Sequence, residues 1–220
     1  MSNSAAQYER FAELVHELAD VGHAQGLLGW DQEVCMPPRG AASRARAQGT
    51  LAGVHHDRHT APELVELVEA LSQVDLEEDQ AVNVRELKRS QERALRIPKA
   101  LVVELTQTES LSHEAWVAAR KADDFAAFQP WLEKIVELKQ QVAEAVGYEG
   151  SIYNALFDEY EPYARVEEVG PVLEDLRRRL VPLVGGILDS GRAADDLLKQ
   201  SFDVKGQESF GRRVMADMGF

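Results

Sequence analysis

The sequence predicts an all-α fold of about eight to ten helices, and three observations support this prediction. Apolar residues recur at three- and four-residue spacing along most of the chain. The positions between them are rich in Glu, Lys, Arg and Gln, which favour helix and suit a solvated face. No run alternates apolar with polar residues, and the hairpin turns Asn-Gly and Asp-Gly do not occur.

Glycine and proline set the first predicted boundaries. The first helix is expected over residues 5–28 and should stop at Gly29. A connecting loop closed by Pro37 and Pro38 follows, and a second helix is expected over residues 41–54.

Two capping patterns predict the next helix starts. In residues 60–63 (TAPE), Thr60 is the expected N-cap, with proline in the first turn and Glu63 reaching back. Asp75 and Glu78 repeat this arrangement before a helix that should fade near residues 97–98, Ile-Pro.

Two helices of more than 20 residues are expected next, over residues 99–122 and 125–146. Gly147 and Gly150 should end the second of them and open a turn-rich stretch that continues to Tyr163.

The last part of the chain repeats the apolar stripe found in residues 132–146. A helix is expected over residues 166–188, in which Pro171 is tolerated but Pro182 should bend or stop the helix. A loop over 191–201 and a helix over 204–218 follow. No linker separates domains, so residues 1–220 are predicted to form a single helical region. The stripe consists of Val169, Val172, Leu173, Leu176, Leu180, Leu183 and Ile187.

Composition restricts the partners and the compartment. The chain is 45% hydrophobic and 28% charged, with a formal net charge of −14, so nucleic acid and anionic membrane surfaces are poor partners. The single cysteine, Cys35, fits a reducing cytosol and is interpreted as a small structural hydrophobe. The N-terminus lacks the apolar core of a signal peptide, and no stretch reaches the length of a membrane span, so a cytoplasmic location is expected.

The histidines do not form a zinc-peptidase motif. The pattern His-Glu-x-x-His is approached at His16 and at His113, but Asp20 and Val117 stand where the second His belongs. Both are interpreted as solvated helical pairs. The cluster of three His within residues 55–59 is interpreted as an exposed helix end. The acidic residues 158–161 could bind a cation, but a solvated turn is favoured.

One segment, residues 27–38 (LLGWDQEVCMPP), combines a Trp with polar residues before two prolines. It fits either a buried Trp30 with a capping Asp31, or a rigid loop that directs polar groups at a cleft.

These twelve residues resemble the N-terminal signature of the thermostable carboxypeptidase Taq family, which are helical metallocarboxypeptidases. Further blocks resemble the family in the same order: residues 116–130, residues 153–162 (YNALFDEYEP) and residues 207–220, ending Met-Gly-Phe.

The resemblance implies broad-specificity removal of C-terminal residues from peptides, with zinc or cobalt activating water and a Glu as base. The family's His-Pro-Phe, Asp-x-Arg and His-Glu-x-x-His motifs would lie beyond residue 220, so no catalytic or metal residue carries over to this chain. The chain is therefore expected to be an inactive N-terminal portion, truncated and homodimeric like its relatives. Trp30, Asp31 and Gln32 are expected to support the substrate cleft.

Two other interpretations stay open. The chain could be a non-catalytic helical binding or dimerisation module derived from that family, or an unrelated helical scaffold.

Overall fold

A computed structural model describes residues 3–191 and 199–220, and within these ranges it contains nine α-helices and no strand. The predicted all-α class and helix number are confirmed. A 3-10 turn, Pro38–Gly40, follows the first helix. The helices are α1 Asn3–Val34, α2 Ala41–His59, α3 Pro62–Leu71, α4 Glu78–Arg96, α5 Lys99–Ala122, α6 Phe125–Val146, α7 Tyr153–Phe157, α8 Val166–Asp189 and α9 Val204–Asp217.

The chain divides into two compact units, Met1–Val166 and Glu167–Phe220. The N-terminal unit holds α1 to α7, and the C-terminal unit holds α9 and all of α8 after its first residue. That residues 1–220 form a single helical region stays a prediction.

The first helix is longer than predicted, because it does not stop at Gly29 but continues to Val34. A single glycine costs about 1 kcal/mol in a helix interior, which a few tertiary contacts outweigh. The helix ends where the backbone N–H groups of Cys35 and Met36 both donate to the carbonyl of Asp31, at 2.9 and 2.8 Å. Pro37 then takes an extended conformation that no helix can continue.

Both predicted N-caps are wrong. The Thr60 hydroxyl donates backwards to the His56 carbonyl at 2.8 Å, so Thr60 closes α2 rather than opening α3. The residues at the N-cap positions of α3 and α4 are Ala61 and Glu77, and neither makes a side-chain cap bond. The first N–H groups of a helix have no acceptor within the helix. Pro62, in the first turn of α3, has no N–H group, so one backbone donor fewer needs a partner.

The α5–α6 connection matches the predicted boundaries. Asp123 adopts the left-handed conformation with φ 55°, and the Asp124 N–H reaches back to the Ala119 carbonyl at 2.9 Å. This is the Schellman arrangement. The Asp124 carboxylate then accepts from the N–H of Ala127 and caps α6.

Two apolar clusters hold the N-terminal unit together. Phe11 of α1 packs with buried residues of α3 and α4, whereas Leu101 of α5 packs with Leu138 and Val142 of α6. Between them, α2 contributes small residues that are buried on the face towards α5. These small residues are Ala45, Gly49, Ala52 and Gly53.

In the C-terminal unit, α8 does not stop at Pro182 but runs on to Asp189. None of its residues is buried. Part of the predicted loop over residues 191–201 lies outside the described residues. The last helix, α9, begins at the predicted Val204 with Asp203 as its N-cap.

Candidate functional site

Trp30, Asp31 and Gln32 lie on the last turns of α1, so the predicted rigid loop is wrong. The alternative interpretation, a buried Trp30, is also wrong because that side chain is 56% exposed. Within residues 27–38, the helix continues to Val34, and irregular backbone begins at the turn that holds Cys35. That thiol is exposed, which does not fit its interpretation as a small structural hydrophobe.

Asp31 is fixed by an arginine from the neighbouring helix. The Arg44 guanidinium of α2 pairs with the Asp31 carboxylate and also donates to the carbonyl of Leu28. The Arg44 side chain is only 14% exposed, so it gives up most of its hydration to make these bonds. The side chain of Asp31 therefore joins α1 to α2 and does not cap a helix.

Gln32 is buried and satisfies both ends of its amide on one residue of α5. Its Nε2 donates to the Ser110 carbonyl at 2.9 Å, and the Ser110 hydroxyl donates to Gln32 Oε1 at 2.9 Å. A buried side chain paired in this way fixes the end of α1 against α5. Of the three predicted site residues, Trp30 is the one that presents most of its side chain to solvent. Their place at a substrate cleft stays a prediction.

The acidic stretch 158–161 is held by arginines of α4 and is not merely solvated. Arg89 donates to the Asp158 carboxylate at 2.7 Å and to the Asp158 carbonyl at 2.6 Å. Arg93 donates to the Ala155 carbonyl at 2.8 Å and lies 3.6 Å from the Glu159 carboxylate. This clamp was not predicted from the sequence. The spacing of Arg89, Arg93 and Arg96 along one face of α4 was the signal that could have indicated it.

Beside this clamp is a cleft of about 550 Å³ between α4, the end of α6 and the turn before α8. Arg96 closes one side by donating to the Val146 carbonyl at 2.7 Å. Because Arg89, Arg93 and Arg96 each donate to a backbone carbonyl, we interpret the cleft as a braced connection between helices.

The three histidines of α2 were predicted to lie on an exposed helix end, but all three side chains are partly buried. His56 Nε2 lies 3.2 Å from the Ala94 carbonyl and 2.9 Å from the Ile97 carbonyl, so this nitrogen carries the proton. His59 Nε2 lies 3.2 Å from the Ser90 hydroxyl. Burial, helped by the neighbouring imidazoles, lowers the pKa of His59 to about 4, and burial also lowers the pKa of His55. The rings of His56 and His59 join α2 to α4.

Residues of the two partial zinc motifs make contacts with other side chains. Glu17, beside His16, pairs with Arg58 of α2. The His113 ring lies 5.9 Å from the ring of Trp116. Within residues 3–191 and 199–220, no group of three or more His, Cys, Asp or Glu side chains is arranged to hold a metal ion. No helix in these ranges is long and apolar enough to cross a bilayer.

The sequence resembles known carboxypeptidases. The thermostable carboxypeptidase 1 of Pyrococcus furiosus is 38% identical over 203 residues, which cover 91% of this chain and 41% of that protein. The thermostable carboxypeptidase 1 of Thermus thermophilus is 34% identical over 230 residues, covering 98% of this chain and 45% of that protein. The chain thus spans less than half the length of these relatives.

Solved structures of carboxypeptidases also match the fold of this chain. The M32 carboxypeptidase of Deinococcus radiodurans R1 is 36% identical with a TM-score of 0.81, covering 98% of this chain and 44% of that one. A Pyrococcus furiosus carboxypeptidase is 34% identical with a TM-score of 0.83, and the match covers 100% of this chain and 44% of that one. The solved structure of BsuCP has a TM-score of 0.91 at 25% identity.

The family model described as carboxypeptidase Taq (M32) metallopeptidase matches residues 10–220. This match covers nearly the whole sequence and agrees with the order of the blocks quoted above. The chain belongs to the carboxypeptidase Taq (M32) family of metallopeptidases.

Proposed function

We propose that this chain is the N-terminal helical part of a metallocarboxypeptidase that releases C-terminal residues from peptides with broad residue specificity. The observation that carries the proposal is the family match over residues 10–220, combined with coverage of only 41% and 45% of the curated relatives. Those relatives bear the name carboxypeptidase.

In the proposed enzyme, the end of α1 supports one wall of the peptide cleft. Asp31 and Gln32 are tied to α2 and α5, so the backbone that carries Trp30 has little freedom to move. Trp30 would offer an apolar surface to a peptide side chain, whereas the two polar residues act by positioning it.

The metal and the general base are proposed to lie outside this chain. A zinc or cobalt ion would supply the activated water in the complete enzyme. A helical zinc site needs two His one turn apart with an adjacent Glu, and none of the six His of this sequence meets that requirement. The chain alone is therefore proposed to be inactive.

The test uses the pure chain with zinc or cobalt and a blocked dipeptide. We expect no hydrolysis above the metal-only background, and less than one metal ion held per chain after dialysis. Chelator-sensitive turnover, or one tightly held ion per chain, would contradict the proposal that the site lies elsewhere.

The proposed enzyme is cytoplasmic and homodimeric, and it binds peptides rather than nucleic acid or membranes. The net charge of −14 supports the last point, since it repels phosphates and anionic headgroups.

A second candidate function, a non-catalytic dimerisation module, is favoured by α8. Five apolar side chains on this helix are between 47% and 60% exposed. Their spacing of three and four residues is that of a helix–helix seam. These residues are Leu173, Leu176, Leu180, Leu183 and Ile187.

A further inference from the structure

The α5–α6 turn carries a second cleft, of about 300 Å³, that is lined by aromatic side chains. Trp116 of α5 and Phe128 of α6 form its walls, and Phe125 stands at the start of α6. Trp116 is 47% exposed and Phe125 is 64% exposed, so the aromatic surface is open to solvent. The volume lies at the lower end of the range for small-molecule sites, which indicates a small ligand.

The turn holds these groups in a fixed relation. Asp123 and Asp124 close α5 in the Schellman arrangement, and the Asp124 carboxylate caps α6 through the Ala127 N–H at 3.2 Å. The charge of Asp124 is therefore balanced by the N-terminus of α6. The cleft does not depend on a flexible loop, because its lining residues lie on two packed helices and the two-residue turn between them.

Two side chains of opposite charge at this cleft have no partner. Among the residues that the structure describes, neither the Arg120 guanidinium nor the Asp123 carboxylate has a hydrogen-bond or ion-pair partner, and they do not pair with each other. Both residues line the cleft. The site thus combines one free cation, one free anion and an apolar, aromatic surface.

We propose that this cleft binds a free amino acid with an aromatic or large apolar side chain. The carboxylate of the ligand would pair with Arg120, its ammonium with Asp123, and its side chain would stack on Trp116 and Phe125. A peptide offers only one of these two charges at each of its ends, whereas a free amino acid carries both on the same carbon. This charge pattern selects the amino acid over a peptide terminus.

The binding claim stands on this cleft alone. Its role, as a site for the amino acids that C-terminal hydrolysis releases, rests on the proposed function. The titration described next needs neither metal nor turnover, so a failure of the peptidase proposal and a failure of this one are separate results.

The probe is L-phenylalanine, titrated into the pure chain while tryptophan fluorescence is recorded. A ligand of about a dozen non-hydrogen atoms on an open site should bind in about the millimolar range. Trp30 and Trp131 also fluoresce, so Trp116→Phe should abolish the ligand-dependent change and assign the signal.

Charge variants test the recognition. Arg120→Gln and Asp123→Asn should each weaken binding by about three- to fivefold, the upper range for an exposed ion pair. Asn tolerates the left-handed conformation at position 123. Lys121→Gln, a neighbouring exposed charge outside the cleft lining, is the matched control and should leave binding unchanged.

Blocked ligands complete the test. N-acetylphenylalanine lacks the ammonium and phenylalaninamide lacks the carboxylate, so each should bind more weakly than phenylalanine. Absence of any Trp116 signal up to about 20 mM, well above the expected millimolar range, would overturn the proposal. So would equal binding of N-acetylphenylalanine, which would indicate a site for a peptide C-terminus instead.

Discussion

Near the end of α1, polar side chains act as structural anchors. Asp31 pairs with Arg44, and Gln32 exchanges two hydrogen bonds with Ser110. A buried polar group costs about 1–3 kcal/mol when it is left without a partner. Each of these pairs therefore penalises any other placement of α1 against α2 and α5. Asp31 and Gln32, which help to make the segment recognisable in sequence, therefore have a packing role.

Replacing Asp31 with Ala should lower the free energy of unfolding by about 1 kcal/mol, because Arg44 keeps its bond to Leu28 but loses its carboxylate. Urea denaturation measures this loss. Glu33→Ala, an exposed acidic residue two positions on, is the control and should change stability by less than about 0.5 kcal/mol. In a complete enzyme, Asp31→Ala should also lower turnover or stability. An unchanged enzyme would remove the functional role of Asp31.

His59 should make the chain sensitive to mild acid. Its pKa is lowered to about 4 in the folded chain by burial, with the neighbouring His55 and His56 adding to the effect. The unfolded chain takes up this proton near pH 6.5 and the folded chain only near pH 4, so stability falls as the pH drops through that window. The thermal midpoint should fall less steeply between pH 6.5 and 4 in His59→Gln than in the parent chain. Identical slopes would show that His59 is not the group responsible.

The partners of these residues could not be predicted from the sequence. Gln32 and Ser110 are 78 positions apart, and His56 meets carbonyls about 40 positions away. The sequence shows that such residues are polar, but only the packing of the helices brings them together. The exposed Trp30 and Cys35 were misjudged for the same reason, since their surroundings depend on a helix that ends at Val34, six residues beyond the predicted end at residue 28.

At the scale of helices, repeated apolar spacing located every long helix, and the boundaries of α5 and α6 were predicted to the residue. The errors fall on the starts and stops, where single residues compete with tertiary contacts. Gly29 was taken as a stop but is accommodated inside α1. Other glycines have a packing role that propensity does not reveal. An ideal Cβ on Gly49 would lie 2.6 Å from the Cγ of Gln107 on α5.

This contact predicts opposite outcomes for one substitution at two glycines. Gly49→Ala should destabilise the chain by about 0.5–1.5 kcal/mol, because the Gln107 side chain must leave its rotamer or α2 and α5 must move apart. Gly22→Ala, in the interior of α1 with nothing within 4 Å of the added methyl group, should stabilise it by about 0.5–1 kcal/mol. Denaturation midpoints compare the two directly. A stabilising Gly49→Ala would show that the α2–α5 approach is not tight.

At the scale of the whole molecule, the colinear blocks predicted the family, and the family match confirms it. The fold class followed from periodicity alone. The division into two units was not foreseen, because no composition change or linker marks residue 166. The C-terminal unit carries a row of apolar side chains on α8 that are about half exposed. Contiguous apolar surface of this kind is typical of an interaction site.

We therefore expect dimers or larger species at micromolar concentration. Sedimentation velocity over a concentration series should show association, and Leu176→Glu with Leu183→Glu should reduce it because charge would be placed in the apolar row. Arg178→Glu, on the opposite charged side of the same helix, is the control. A parent chain that stays monomeric at high concentration would contradict this expectation.

The central claim is that this chain supplies the N-terminal helices of a metallocarboxypeptidase whose metal site lies elsewhere. The most direct measurement mixes the pure chain with the separately expressed part of the Deinococcus radiodurans M32 carboxypeptidase that lies beyond the 44% matched here. Hydrolysis of a blocked dipeptide is recorded with cobalt, with and without chelator, for each part and for the mixture. We predict chelator-sensitive turnover in the mixture and none in this chain alone. Turnover by this chain alone, or a folded and associated mixture that stays inert, would contradict the account.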